Sequence, residues 1–404
     1  MKSSLGVYVH IPFCARICPY CDFAVEAVGE AVGEAGRGGA ASGDWRETED
    51  RYVEGLLAEL ALRAATFSGR SLSSIYFGGG TPSLLRPESL ARIREAVMDA
   101  FPPGRASPEI TLEVNPSTLE RERLPAFRAE AGINRLSVGV QSFDDSVLKA
   151  LGRAHGAEES RRTLEAARRA GFDNLSIDLI FAALHQTPAM LEADLDEAVA
   201  FGPEHISSYE LVFEARTPFG RALADGRFSA YPEEASASMV ERIEERLVGA
   251  GYRRYELTNY ARPSHEAVHN RRYWQRLPVL ALGVGAHSTD PPGPGRPYGA
   301  RHGNPRARVA WLAGVEAGAW PIGEEERLSR ADAMAEACFL ALRCAEGLDE
   351  AGFEAEFGVA LREPFGDAIA RFLGEGLLEQ IGPGHLALSR RGRMLADTVC
   401  AEFV

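Results

Sequence analysis

The stretch Gly6-Val7-Tyr8-Val9-His10-Ile11-Pro12-Phe13-Cys14-Ala15-Arg16-Ile17-Cys18-Pro19-Tyr20-Cys21 runs an apolar segment straight into three cysteines. Gly6–His10 predicts a strand. The cysteines follow as C-x3-C-x2-C, so three thiolates converge from one loop and can hold one metal or one cluster. Structural zinc takes four ligands. A fourth Cys or His at useful spacing is missing, because His10 precedes the loop and Asp22 and Phe23 follow it. On a [4Fe–4S] cluster three thiolates leave one iron open to another ligand. A zinc loop or free thiols is the blander alternative. Cys338, Cys344 and Cys400 lie on helical patterns far from this loop and read as small buried hydrophobes.

Downstream, short Val/Ile/Leu-rich runs alternate with amphipathic stretches. Strands are predicted at Ser73–Phe77, Ile110–Val114, Arg135–Val140, Leu175–Ile180 and His205–Leu211. Helices are predicted at Asp50–Ser68, Pro87–Ala100, Arg121–Ala131, Ala157–Ala170 and Pro188–Ala200. This alternation implies an α/β fold with a parallel sheet covered by helices. Six strands suit an incomplete (β/α)6 barrel, whose chemistry sits at the C-terminal strand ends. Phe77-Gly78-Gly79-Gly80-Thr81-Pro82 leaves the second strand there, Glu113 ends the third, Gln141 follows the fourth and Asp178 lies in the fifth. Glycines let backbone approach a ligand closely, and carboxylates in apolar strands are costly unless partnered.

Three parts are expected: a core over 1–235, an extension over 236–300, and a mainly helical C-terminal domain over 301–404. Glu26–Gly43, with its EAVGEAVGEA and Gly/Ala/Ser run, reads as a flexible insertion. Tyr231–Ala250 predicts a helix, Arg254–Thr258 a strand and Pro291–Pro305 a connector. Leu377–Ile381 and His385–Leu388 flank Gly382-Pro383-Gly384 as a hairpin, a winged-helix-like shape. At 404 residues and 45% hydrophobic, the chain can bury a sizeable core. Its net charge of −14 argues against nucleic acid as a partner. No segment approaches the ~20 apolar residues of a membrane span, so a cytoplasmic protein is expected.

C-x3-C-x2-C in the first β–α loop of such a barrel resembles the radical S-adenosylmethionine superfamily. The resemblance implies a [4Fe–4S] cluster on Cys14, Cys18 and Cys21. It further implies an open iron chelated by the methionyl group of S-adenosylmethionine, whose sulfonium is cleaved in that superfamily to a 5′-deoxyadenosyl radical. Arg135-Leu-Ser-Val-Gly-Val-Gln-Ser-Phe-Asp144 and Leu151-Gly-Arg-Ala-His155 resemble one branch, the oxygen-independent coproporphyrinogen III oxidases and their relatives. By that resemblance Tyr8 lies near the cofactor, and Gly79, Gly80, Thr81 and Glu113 bind its methionyl part. Gln141 and Arg153 line the site, Asp178 holds the ribose hydroxyls, and Val212 sits near the adenine.

Within the branch, four features resemble the heme chaperones more than the oxidase. Phe23 stands where the oxidase carries a further Cys, and only thirteen residues precede Cys14. His269-Asn270-Arg-Arg-Tyr273-Trp274 matches an HNxxYW motif of the chaperones, and Tyr255–Pro263 before it is similar to that branch as well. The resemblance implies a protein that binds heme, with His269 as ligand candidate and His287 as a second. It implies heme-receiving apoproteins and an electron donor such as a flavodoxin or ferredoxin as partners, membrane contact only through recipients, and no oxidase activity. The alternative is the oxidase itself. One departure concerns the loop after the fifth strand, which typically reads YGLPGQT in the branch. Here it is Phe181-Ala182-Ala183-Leu184-His185-Gln186-Thr187. If the replaced glycines take positive φ, this loop is expected to be rebuilt. His185 reads as a solvent-facing loop residue.

Overall fold

The structure, a computed structural model, describes residues 4–28 and 42–404, with side chains from residue 45 in the second segment. Six strands form its centre: β1 (Ser4–Ile11), β2 (Ser71–Gly79), β3 (Glu109–Val114), β4 (Arg135–Gln141), β5 (Leu175–Phe181) and β6 (His205–Glu210). Each is parallel to the next. Helices Ser42–Arg63, Pro87–Ala100, Thr118–Ala129, Ala157–Arg169 and Pro188–Phe201 fall between them. Strand Val279–Leu282 adds to β1 in parallel, and short antiparallel strands extend both edges to a twelve-stranded sheet. The expected partial barrel is present, with a largely helical C-terminal region.

The two faces of these strands differ. Val7 and Val9, Ile75 and Phe77, Leu112, Leu136 and Val138, Ile177 and Leu179 are fully buried in the main hydrophobic core. The alternate positions are polar or small: Tyr8, Tyr76, Glu113, Arg135, Ser137, Gly139, Gln141, Asp178, Ser207 and Tyr209 line a central cavity. The strand period of two sorts the residues this way. The helices therefore cover an apolar exterior while the lumen stays polar.

Several expectations need correction. Arg254–Thr258 is not one strand: Arg253–Arg254 and Asn259–Ala261 pair with each other, and the Glu256 carboxylate between them accepts from the backbone N–H of Thr258. The Pro291–Pro305 connector contains a strand, Ala300–Gly303, paired on both sides. Of the predicted insertion, Glu26–Ala27 pairs with Phe13–Cys14 and Ser42 begins a helix, while 29–41 lie outside the described residues. Cys344 follows its helix instead of lying in it and is only partly buried.

A second hydrophobic core spans Leu328 to Phe403. Helices Arg330–Leu342, Glu350–Phe357 and Arg362–Gly374 pack there on a three-stranded antiparallel sheet. Its hairpin, Leu378–Gly382 with His385–Leu388, turns at Gly384, whose φ of 70° suits glycine. Residues 301–327 instead continue the main sheet, and Trp311 packs in the barrel's core. Among the described residues, no helix is long and apolar enough to cross a membrane.

Candidate functional site

Thirteen of the fourteen residues singled out in the sequence as cluster, cofactor or heme positions line one cavity of about 760 Å³ inside the barrel, and His287 is the exception. The cysteine loop lies at its mouth. Burial pushes the Cys14 thiol up to about 12 and Cys21 upward, and the neighbouring cysteine charges add to both. Bare thiolates are thus disfavoured, and a bound cation reverses that balance. Thr81 Oγ1 lies 3.7 Å from Cys14 Sγ, and Arg153 Nη1 3.5 Å from Cys18 Sγ, so both sulfurs face donors. Among the described residues, no three His, Cys, Asp or Glu converge as a single-ion site. The donor set fits an iron–sulfur cluster, which takes thiolates at separate irons.

Gly79 and Gly80 bring β2 against this loop. Gly79 has φ 110°, and a Cβ there would meet the His10 ring at 2.5 Å. A Cβ on Gly80 would lie 2.9 Å from Cys14 Sγ. His10 Nε2 bonds the Ala24 carbonyl at 2.9 Å, and its Nδ1 contacts Tyr8 Oη at 3.1 Å. The carbonyl contact requires Nε2 to donate, so Nδ1 accepts from Tyr8.

Glu113 accepts from Tyr76 Oη at 2.8 Å and from the Gly79 N–H at 3.1 Å. Burial pushes its carboxyl up to about 7 despite these bonds, and Asp178 nearby adds to the rise. Asp178 accepts from Ser137 Oγ at 2.8 Å and Ser176 Oγ at 3.2 Å, and burial raises it too. Gln141 ends β4 at φ 65° on the rim. Arg153 is clamped by Asn115 Oδ1 at 2.5 Å and the Gly139 carbonyl at 3.1 Å. Asn115 in turn donates to Thr81 Oγ1 at 2.8 Å. Sequence reasoning did not single out Asn115 and missed this link between the glycine loop and Arg153.

His269 lies on the short helix Val268–Trp274, 2% exposed. Its ring nitrogens contact Ser74 Oγ and Tyr273 Oη, each at 3.0 Å. Burial pushes its pKa down to about 3, so the imidazole is neutral. His287 is exposed outside this cavity, 3.3 Å from Glu324. Phe23, 65% exposed, and Val212, 60% exposed, stand at the cavity mouth.

The loop after β5 does not follow the expectation of a rebuilt backbone. Ala182 and His185 hold positive φ of 54° and 66°, so the glycine-like path persists without glycine. Asp194 fixes it: its carboxylate takes Ser142 Oγ at 2.8 Å, the Phe143 N–H at 2.6 Å and Gln186 Nε2 at 3.4 Å. This buried clamp ties the β4 and β5 loops together and sustains the strain.

A polar lumen in a partial parallel barrel, with three cysteines at its mouth, defines a radical S-adenosylmethionine protein, and residues 8–198 match the Radical SAM superfamily. Residues 328–395 match the HemN C-terminal domain. The chain is 30% identical to the heme chaperone HemW of Bacillus subtilis over 404 residues, covering 100% of this chain and 99% of that one. It is 36% identical to HemW of Synechocystis over 85% of this chain and 79% of the relative. It belongs to the HemW/HemN family. The fold is also that of coproporphyrinogen III oxidase (HemN) from Escherichia coli, with a TM-score of 0.81 at 24% identity over 99% of this chain and 90% of that one.

Proposed function

We propose that this chain binds heme and passes it to apoproteins, and that its barrel seats a [4Fe–4S] cluster and S-adenosylmethionine. Phe23 carries this reading over the oxidase. An exposed phenyl ring stands at the cavity mouth where the oxidase branch has a further Cys, and the relative that matches this chain at 30% identity from end to end is a heme chaperone.

Cys14, Cys18 and Cys21 would hold the cluster. Gly79, Gly80, Thr81 and Glu113 would take the methionyl group, the Glu113 carboxylate pairing with its ammonium. Gln141, Arg153 and Tyr8 would line that seat. Asp178, held by Ser137, Ser176 and Ser207, keeps a lone pair beyond these serine bonds for a ribose hydroxyl. When bound, the cluster supplies an electron to the cofactor's sulfonium. An electron donor such as a flavodoxin or ferredoxin would serve the cluster. His269 is the proposed heme ligand. A neutral imidazole can ligate iron, and doing so replaces its contact with Ser74 or Tyr273.

Titrating heme into the cluster-reconstituted protein tests this. A saturable Soret shift, reduced in His269→Ala, is expected. No saturable shift overturns the cargo reading, and a shift untouched by His269→Ala removes that ligand. Anaerobic conversion of coproporphyrinogen III to protoporphyrinogen IX would establish the oxidase instead.

A further inference from the structure

Arg135 opens β4 and lines the lumen floor, 2% exposed. Other buried arginines in this chain are hydrogen-bonded. Arg63 reaches the Ala281 carbonyl and Ser288 Oγ. Arg272 reaches the Ser4 and Pro278 carbonyls and Ser73 Oγ. Arg63 shares with Arg135 an Nε buried without a hydrogen-bond partner, but among the described residues Arg135 makes no hydrogen bond through its other nitrogens either. Its ion pair among the described residues is with Glu109, whose Oε2 lies 4.0 Å from Nε. Both Glu109 oxygens already accept, from the backbone N–H of Val268 and of His269.

The neighbouring donors are committed among themselves. Asn270 donates to Tyr255 Oη at 3.2 Å, and Tyr255 Oη meets His205 Nε2 at 2.9 Å. His205 Nδ1 meets Ser176 Oγ at 2.8 Å, and that hydroxyl donates to Asp178. The guanidinium is therefore the strong donor this floor leaves unused. A desolvated cation without an acceptor is costly, and its planar fork matches a carboxylate. The lumen already holds Glu113 and Asp178, so a singly charged anion suits it better than a dianionic phosphate.

We propose that Arg135 forms a carboxylate subsite at the lumen floor, which receives an acidic arm of a second ligand entering beneath the cofactor rim. β4 runs from Arg135 to Gln141, roughly 20 Å at ~3.3 Å per residue. That separation distinguishes the arm from the methionyl carboxylate expected beside the cysteines. With heme as cargo the arm is a propionate. That identification rests on the function proposed above, whereas the subsite does not.

Two measurements on the cluster-reconstituted full chain test the subsite. The first compares heme with heme dimethyl ester on wild type, Arg135→Gln and Arg135→Lys. Wild type is expected to bind the ester at least tenfold more weakly. Arg135→Gln should lose about tenfold for heme and erase the difference between the two, and Arg135→Lys should retain part of it. S-adenosylmethionine affinity within twofold of wild type shows that each variant is folded and its rim intact. The second compares sodium propionate with sodium chloride at equal ionic strength. Propionate should raise the Tm of wild type and not of Arg135→Gln. If heme shows no saturable shift but the propionate effect holds, the cargo reading falls and the subsite stands. Equal binding of heme and ester, or a propionate effect that survives Arg135→Gln, overturns the subsite.

Discussion

The barrel and the C-terminal unit are built on opposite terms. The C-terminal unit closes around one apolar core, with Ile369, Phe372, Leu386 and Val399 nearly or fully buried. The barrel has an apolar shell outside its strands and a column of charges, tyrosines and histidines inside them. In the first, burial of hydrocarbon stabilises and little else is asked of the side chains. In the second, each buried polar group needs a partner. Substitutions should therefore separate: lumen changes act on binding, and C-terminal core changes act on stability.

The largest separation is expected at the cysteines. Cys18→Ser should abolish the cluster's visible absorption on reconstitution while leaving the far-UV circular dichroism of the apoprotein unchanged. Loss of secondary structure in that variant would break the comparison. In the other direction, Phe372→Ala should cost about 3–5 kcal/mol of stability, as expected for a buried phenyl. It should leave cluster content and cofactor affinity per folded molecule intact. A matching loss of affinity would show that the two units are coupled.

Glu113→Gln should weaken S-adenosylmethionine binding by about 1.5–3 kcal/mol, roughly ten- to a hundredfold in Kd, the range for a bond to a charged group. The pH dependence carries a sign. Burial raises this carboxyl from its ordinary 4.5 to about 7, so the charged form that pairs with an ammonium is lost as pH falls through about 7. Affinity should drop by up to about tenfold per pH unit below that point, and Glu113→Gln should flatten the profile. Stability of the ligand-free chain goes the other way. The folded state holds the proton more tightly than the unfolded one, so this group's contribution declines as pH rises from about 4.5 to 7. A binding profile unchanged by the substitution would remove Glu113 from the methionyl seat.

The same contrast explains what the sequence made legible. The six parallel strands follow from apolar runs bounded by Gly, Pro and Asn, and the helix Pro87–Ala100 matches its expected bounds. The edge strands His287–Asp290, Ala300–Gly303 and Glu324–Arg327 carry HSTD, ARHG and EEER, with no apolar period to mark them. Arg254–Thr258 misled because its polar residues serve a local carboxylate turn around Glu256. In the site, the glycine loop and the carboxylates stood out as breaks in apolar runs. Arg135 and Ser137 did not, although Arg135-x-Ser137-x-Gly139-x-Gln141 already has the period-two spacing of one strand face. His205, Tyr255 and Asn115 come from separate elements, so only folding brings them to the lumen.

The smallest effect concerns backbone at the rim, where the barrel tolerates strain that the C-terminal unit avoids by placing glycine at 358, 376 and 384. A left-handed residue other than glycine costs roughly 1–2 kcal/mol, and glycine's extra freedom in the unfolded chain returns about 0.4–1 kcal/mol of that. His185 is exposed, so His185→Gly should stabilise by about 0.5–1 kcal/mol. Ala182 is 3% exposed within the main core. Removing its methyl forfeits about 0.8 kcal/mol of burial, so Ala182→Gly should be close to neutral. Urea denaturation of both variants reads the difference between them. A destabilised His185→Gly would mean that its side chain contributes more than its strain costs, and that this loop is held by something besides the Asp194 clamp.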